Sequence, residues 1–168
     1  MMLPVKVIHV IASFAIILIG YTFLFPGVSL LIWNKTESAP KGLYLWQSKA
    51  VSTGDWAILK GSSATGKWIA THGYIGEGWP IVKRIVASEG DVICRDNLIV
   101  TVNGIAIAEA LETDFYGNEL PSWTGCLRLN ETQVFLINDH PHSLDGRYFG
   151  AESLADLSGS ARLIWAES

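Results

Sequence analysis

The sequence predicts a mainly β domain, built as an antiparallel sheet, behind one N-terminal transmembrane helix. Three features carry that prediction. From Val7 to Trp33 the only strongly polar side chain is His9. After residue 34 the pattern breaks into short β-branched and aromatic runs between turns, with no clear helical periodicity. Asn103-Gly104, set between two such runs, is the dipeptide favoured in a two-residue hairpin.

The apolar run comes first. Roughly 20 helical residues, at about 1.5 Å each, cross a hydrocarbon core of about 30 Å. VIHVIASFAIILIGYTFLFPGVSLLIW, residues 7–33, is long enough, and Pro26-Gly27 is placed to bend or end the helix near its outer end. No small-x-small site closes the run, so a retained anchor is expected rather than a cleaved signal peptide. Residues 1–33 are therefore read as the anchor and 34–168 as one further domain. Lys6 and the amino terminus precede the run and Lys35 follows it, a nearly balanced set of charges. An anchor near the amino terminus, followed by a larger domain, most often sends that domain outward. The domain is therefore expected on the outer side of the membrane.

Composition narrows the classes further. The chain has 168 residues and a formal charge of -4, which allows one domain with a real core. The acidic domain offers no basic stripe, so no nucleic acid partner is expected. Cys94 and Cys126 are too few and too far apart for a zinc site. They read either as one disulfide, which fits an oxidising compartment, or as two buried free thiols. His140-Pro141-His142 lacks a third ligand at convincing spacing, so no metal and no other cofactor is expected.

Along the domain, Leu43–Trp46 and Asp55–Leu59 are candidate strands with a turn at Ser52-Thr53-Gly54. Lys60–Gly66 reads as a loop, and Trp68–Tyr74 suits a short helix or a strand. Pro80–Ala87 is the densest β-branched run and stops at the turn Glu89-Gly90-Asp91. Val92–Cys94, Leu98–Val102 and Ile105–Ala108 follow, the last two joined by Asn103-Gly104. Glu109–Gly125 reads as loop, Thr132–Ile137 as a strand and Arg162–Trp165 as the last strand.

Lys83 is the first chemical candidate. Side chains alternate along a strand, so Ile81, Lys83 and Ile85 share one face. An amine between isoleucines is drawn out of water, which disfavours its charged form and lowers its pKa. A neutral amine serves as a general base toward a hydroxyl. The plainer reading is a lysine that snorkels at a sheet edge. Ser38 supplies the hydroxyl that would make a Ser–Lys dyad, a variant of the serine nucleophile and base.

Three segments together resemble the signal peptidase family of membrane-anchored serine proteases. Thr36-Glu37-Ser38-Ala39-Pro40-Lys41-Gly42-Leu43-Tyr44 is similar to the T-x-S-x-P-x-G-L-Y box of the branch that includes the conjugative transfer peptidase TraF. Residues 81–91, IVKRIVASEGD, resemble the K-R-x-x-x-x-x-G-D box, with Ser88-Glu89 where leucine-proline is more usual. Residues 143–150, SLDGRYFG, resemble the S-x-D-S-R-Y-x-G box, with Gly146 replacing the usual serine. The boxes stand in family order behind an anchor. One residue separates Ser38 from Pro40, which favours the TraF branch over general type I enzymes.

The resemblance implies a serine endopeptidase with an antiparallel β catalytic domain. It implies Ser38 as nucleophile and Lys83 as general base. The Ser38 backbone N–H and the Thr36 hydroxyl would bind the oxyanion. Ser143 would hold the Lys83 amine. Arg84, Asp145 and Arg147 would form an ion-pair cluster behind the site. The implied partners are the membrane and a precursor carrying a signal or leader peptide, pilin-like in the TraF branch, whose product is released or cyclised.

Pro40 explains the odd polar stretch before the domain. It lacks an N–H, fixes its own φ and pushes Ala39 toward extended geometry. That predicts a stiff, unpaired strand edge at Ser38. Trp33 precedes Ser38 by five residues, at most about 17 Å of chain, so the nucleophile is expected near the bilayer. The rival readings are a general type I signal peptidase, a non-catalytic membrane-anchored β module binding a transfer partner, and a self-cleaving Ser–Lys repressor. The anchor argues against the last.

Overall fold

A computed structural model gives the fold, and it describes residues 4–24 and 31–167. The chain divides into two compact units, Met1–Leu30 and Leu31–Ser168. In the first, the apolar run forms helix α1, Val5–Leu24. The expected bend at Pro26-Gly27 lies outside the described residues. Among the described residues no helix is long and apolar enough to cross a membrane.

The second unit is mainly antiparallel β. Its strands are β1 (Leu31–Asn34), β2 (Gly42–Gln47), β3 (Trp56–Gly61), β4 (Gly78–Ala87), β5 (Val92–Asp96) and β6 (Ile99–Val102). Then come β7 (Ile105–Glu109), β8 (Gly125–Arg128), β9 (Gln133–Leu136), β10 (Glu152–Ser153) and β11 (Leu157–Ala166). A seven-stranded sheet runs β1-β2-β11-β3-β4-β9-β10, and a four-stranded sheet runs β7-β6-β5-β8. Buried Ala87, Ile93, Val100, Leu129, Phe135 and Ile137 form one apolar cluster that joins residues of both sheets. That cluster fixes the far end of β4, the strand that carries Lys83.

Several expectations need correction. Residues 31–33 were read as the end of the anchor, but Leu31–Asn34 pairs with β2, Asn34 opposite Gly42. Ile32 and Asn34 point inward while Leu31 and Trp33 stay exposed, the alternation of a half-buried strand. Lys60–Gly66 is not one loop. It holds the end of β3 and the start of helix α2, Ala64–Thr71, capped by the Ser63 side chain, which accepts from Gly66 N. Trp68–Tyr74 is thus helical as far as Thr71. Gly125, read as the end of a loop, opens strand β8 with Cys126–Arg128, which had been assigned no element, and the last strand starts at Leu157, well before Arg162.

The Asn103-Gly104 hairpin is present, with φ of 52° and 80°, both positive as a type I′ turn requires. Gly42 meets a sharper demand. At φ 146° its absent side chain leaves room for Trp165 O, which a Cβ would approach to 2.0 Å. That contact lets β11 close against β2 at the start of the strand after Ser38. Cys94 lies opposite Cys126 on β5 and β8, and the two form a disulfide across a sequence separation of 32. Closing a loop of that size constrains the unfolded chain by roughly 3–4 kcal/mol in the chain-entropy account.

Candidate active site

Two pieces of chain meet here. The first is the loop between β1 and β2, which carries Thr36 and Ser38. The second is β4 with the segment leading into helix α3, Gly146–Phe149, which carries Lys83, Ser143, Asp145 and Arg147.

Lys83 lies mid-strand in β4, opposite Ala57 of β3. β3 pairs with it on one side and the Asn138 side chain bonds the neighbouring backbone on the other, and the residue is 3% exposed, so the amine does not snorkel into water. Its same-face neighbours Ile81 and Ile85 pack with Ala57, Leu59 and Leu136. Burial pulls the Lys83 amine down from its usual range to about 8. The nearby Asp145 carboxylate pushes back upward, and the Arg147 guanidinium adds to the lowering. Nζ donates to Ser143 Oγ at 2.8 Å, and Ser143 is 1% exposed.

The segment behind Ser143 is held by an ion pair. Arg147 Nε lies 2.9 Å from Asp145 Oδ1, both side chains being almost fully buried. Asp145 also caps α3 through Arg147 N and accepts from Asn138 N at 3.0 Å. Arg147 Nη2 donates to Asn138 O at 2.6 Å. Arg84, expected in this cluster, lies elsewhere. It is exposed, with its guanidinium carbon 5.6 Å from the centre of the Trp56 ring. The physical reason is strand alternation: Lys83 faces inward, so Arg84 faces the other side.

Asn138 is a residue that sequence reading missed. Its side chain donates to Val82 O at 3.2 Å and accepts from Arg84 N at 2.9 Å, bracketing Lys83 on the backbone. A buried amide that satisfies both neighbours fixes where the lysine leaves the strand.

On the other piece, Ser38 is half-buried in a turn, not on the stiff strand edge expected from Pro40. Its Oγ lies 3.1 Å from Thr36 Oγ1. Among the described residues no hydrogen bond joins Ser38 to Lys83. The two segments nevertheless converge. Ala39, next to Ser38, shares an apolar cluster with Val82, next to Lys83. Glu37 Oε2 lies 3.9 Å from His140 Nε2, and His140 O accepts from Ser143 N at 3.0 Å. Glu37 also pairs with Lys41 at 2.9 Å across the turn; this pair lowers the Glu37 carboxyl and raises the Lys41 amine.

A β domain with a buried, readily deprotonated amine near a serine-bearing turn has the parts of a serine hydrolase. The family described as signal peptidase, peptidase S26, matches residues 4–166, and the chain belongs to that family. Membership makes it a serine endopeptidase acting on precursors that carry a signal peptide. Among solved structures, a signal peptidase I from Enterococcus faecalis aligns with 16% identity and a TM-score of 0.38, over 68% of this chain and 98% of that one. Comparison with curated proteins finds no match.

Proposed function

We propose that this chain is a membrane-anchored signal peptidase whose chemistry is carried by Ser38 and Lys83. The observation that carries the reading is the Lys83 amine: buried, lowered to about 8, and held by Ser143 at 2.8 Å. A neutral amine that donates one N–H to Ser143 keeps its lone pair for another proton.

The reaction follows. An extended precursor segment lies beside the Ser38 turn, with small residues before the scissile bond. Ser38 Oγ attacks the carbonyl carbon and its proton passes to Lys83 Nζ. The oxygen that becomes negative is met by the Ser38 backbone N–H and the Thr36 hydroxyl; a donor of that kind is typically worth about 10²–10³ in rate. The C–N bond then breaks and the Lys83 proton goes to the leaving amine. The C-terminal fragment leaves as that amine, and the N-terminal fragment stays esterified to Ser38 until water hydrolyses the ester, or until that fragment's own α-amine attacks it, closing a ring and freeing the serine.

The single residue between Ser38 and Pro40 supports the TraF branch and a pilin-like precursor of a conjugative transfer system. The apolar run of residues 7–33 in the sequence supports a single-pass anchor in the inner membrane. The Cys94–Cys126 disulfide supports a domain on the oxidising, periplasmic side.

The test is processing of a precursor by the full chain with Ser38→Ala, with Lys83→Ala and with both. Each single change is expected to abolish cleavage while leaving the circular dichroism of the β domain in place. The double change is expected to lose no more than either single one, because groups that act as a unit are not additive. Full activity in either single variant overturns the assignment.

A further inference from the structure

Asn34 ends β1 at a buried position, 8% exposed, and its side chain bonds to the turn that follows. Its Nδ2 lies 3.0 Å from Thr36 O, 3.0 Å from Ala39 O and 3.2 Å from Pro40 O. Its Oδ1 accepts from Thr36 N at 3.2 Å and from Thr36 Oγ1 at 2.8 Å. Chemistry fixes which end of the amide faces which way, since three carbonyls only accept and a backbone N–H only donates. From the β2 side, Tyr44 OH donates to Pro40 O at 2.8 Å and pins the same turn.

A proton direction follows. An amide oxygen cannot donate, so the Thr36 hydroxyl hydrogen goes to Asn34. Thr36 Oγ1 then has only lone pairs to offer Ser38, 3.1 Å away, and the Ser38 hydroxyl is the donor of that pair.

We infer that Asn34 is a positioning residue for the nucleophile: it clamps residues 36–40 and, through Thr36, holds the Ser38 hydroxyl in a resting bond that Ser38 exchanges for Lys83 when substrate arrives. The inference rests on the reading of Ser38 as nucleophile. It also refines the role of Thr36. In the resting site the Thr36 hydroxyl is committed to Asn34, and it donates to an oxyanion only by giving up that acceptor. Asn34 retains the turn meanwhile through the three carbonyls.

The experiment uses the full chain in detergent with the p-nitrophenyl ester of acetyl-Ala-Ala. Ser38 Oγ attacks the ester carbonyl, its proton goes to Lys83, and p-nitrophenolate leaves. The phenolate burst gives the acylation rate across pH, and mass spectrometry locates the adduct. Hydrogen exchange over residues 35–40 is read in parallel. Asn34→Ala and Asn34→Asp are expected to slow acylation about 10²-fold, the loss that follows a misplacement of about 1 Å. The half-saturating ester concentration and the pH limb set by Lys83 are expected to stay in place. Exchange over 35–40 is expected to rise while β8 is unchanged.

Thr36→Ser is expected to stay near wild type and Thr36→Val to fall. Combining Thr36→Val with Asn34→Ala is expected to cost no more than the worse single change. If Asn34→Ala does not fold, Asn34→Asp and the Thr36 pair decide in the same way. Wild-type acylation and exchange in the Asn34 variants, or strictly additive losses, overturn the inference. If wild type forms no Ser38 adduct while exchange responds to Asn34, the dyad reading falls and the clamp stands.

Discussion

The two halves of the site are built by opposite physics. The nucleophile side is a polar turn, half-buried, held by side-chain amide and hydroxyl bonds from Asn34, Thr36 and Tyr44. The base side is apolar and closed. Lys83 sits in the middle of a seven-stranded sheet, with Asn138, Ser143 and the Asp145–Arg147 pair behind it. The turn sets direction, and the sheet sets protonation. A hydroxyl needs a defined geometry to attack, which local hydrogen bonds supply cheaply. An amine needs to lose its charge near neutral pH, which removal from water supplies here, with Arg147 adding to it.

Three changes break or sharpen that contrast. The largest effect is expected at Asp145. Removing one member of a buried pair leaves the other charge uncompensated, at a cost of about 3–5 kcal/mol. Asp145→Ala is therefore expected to lower the denaturation midpoint strongly, as measured by chemical unfolding, and to take activity with it. The nucleophile side has no equivalent, because Glu37–Lys41 is exposed and such pairs contribute little.

Next comes Lys83→Met, which is expected to abolish activity and stabilise the fold. The folded amine titrates near 8 against 10.5 for an ordinary lysine, so burial works against folding wherever the unfolded lysine is charged. Each pKa unit is about 1.4 kcal/mol, so the stabilisation at neutral pH is at most about 3 kcal/mol. The sign is checked by pH. The unfolded chain binds the extra proton between about 8 and 10.5, so wild-type stability rises through that window and the gap to Lys83→Met closes. Thermal unfolding of both proteins at several pH values measures it.

The smallest effect is expected at Arg84. Its guanidinium over Trp56 is exposed, where a cation–π contact is worth about 0.5–1 kcal/mol. Arg84→Ala is expected to shift stability by no more than that and to leave the rate unchanged. A loss comparable to that of Asp145→Ala returns Arg84 to the buried cluster.

What was legible in the sequence follows the same division. Lys83 was readable because alternation with Ile81 and Ile85 states which face it shares. Alternation also states that Arg84 faces away, yet the family pattern placed it with Asp145. β1 was hidden because Leu31-Ile32-Trp33 is as apolar as the helix before it; only pairing with β2 separates them. β8 was hidden because all four of its residues are exposed, and it is recognised by its register against β5 and the Cys94–Cys126 link. Asn34 and Asn138 carry no pattern at all. An asparagine is as common in a solvated loop as in a clamp, and only the hydrogen bonds distinguish them.

The most direct measurement is the pH dependence of Ser38 acylation in wild type and in variants in which each of the three histidines of residues 34–168, His72, His140 and His142, is changed to Gln or Asn. A Lys83 base predicts a limb that rises with pH through about 8, where the buried amine becomes neutral, unchanged by any of the three replacements. A limb near about 6.5 that one histidine replacement abolishes, with activity retained in Lys83→Met, contradicts it and assigns the base to histidine.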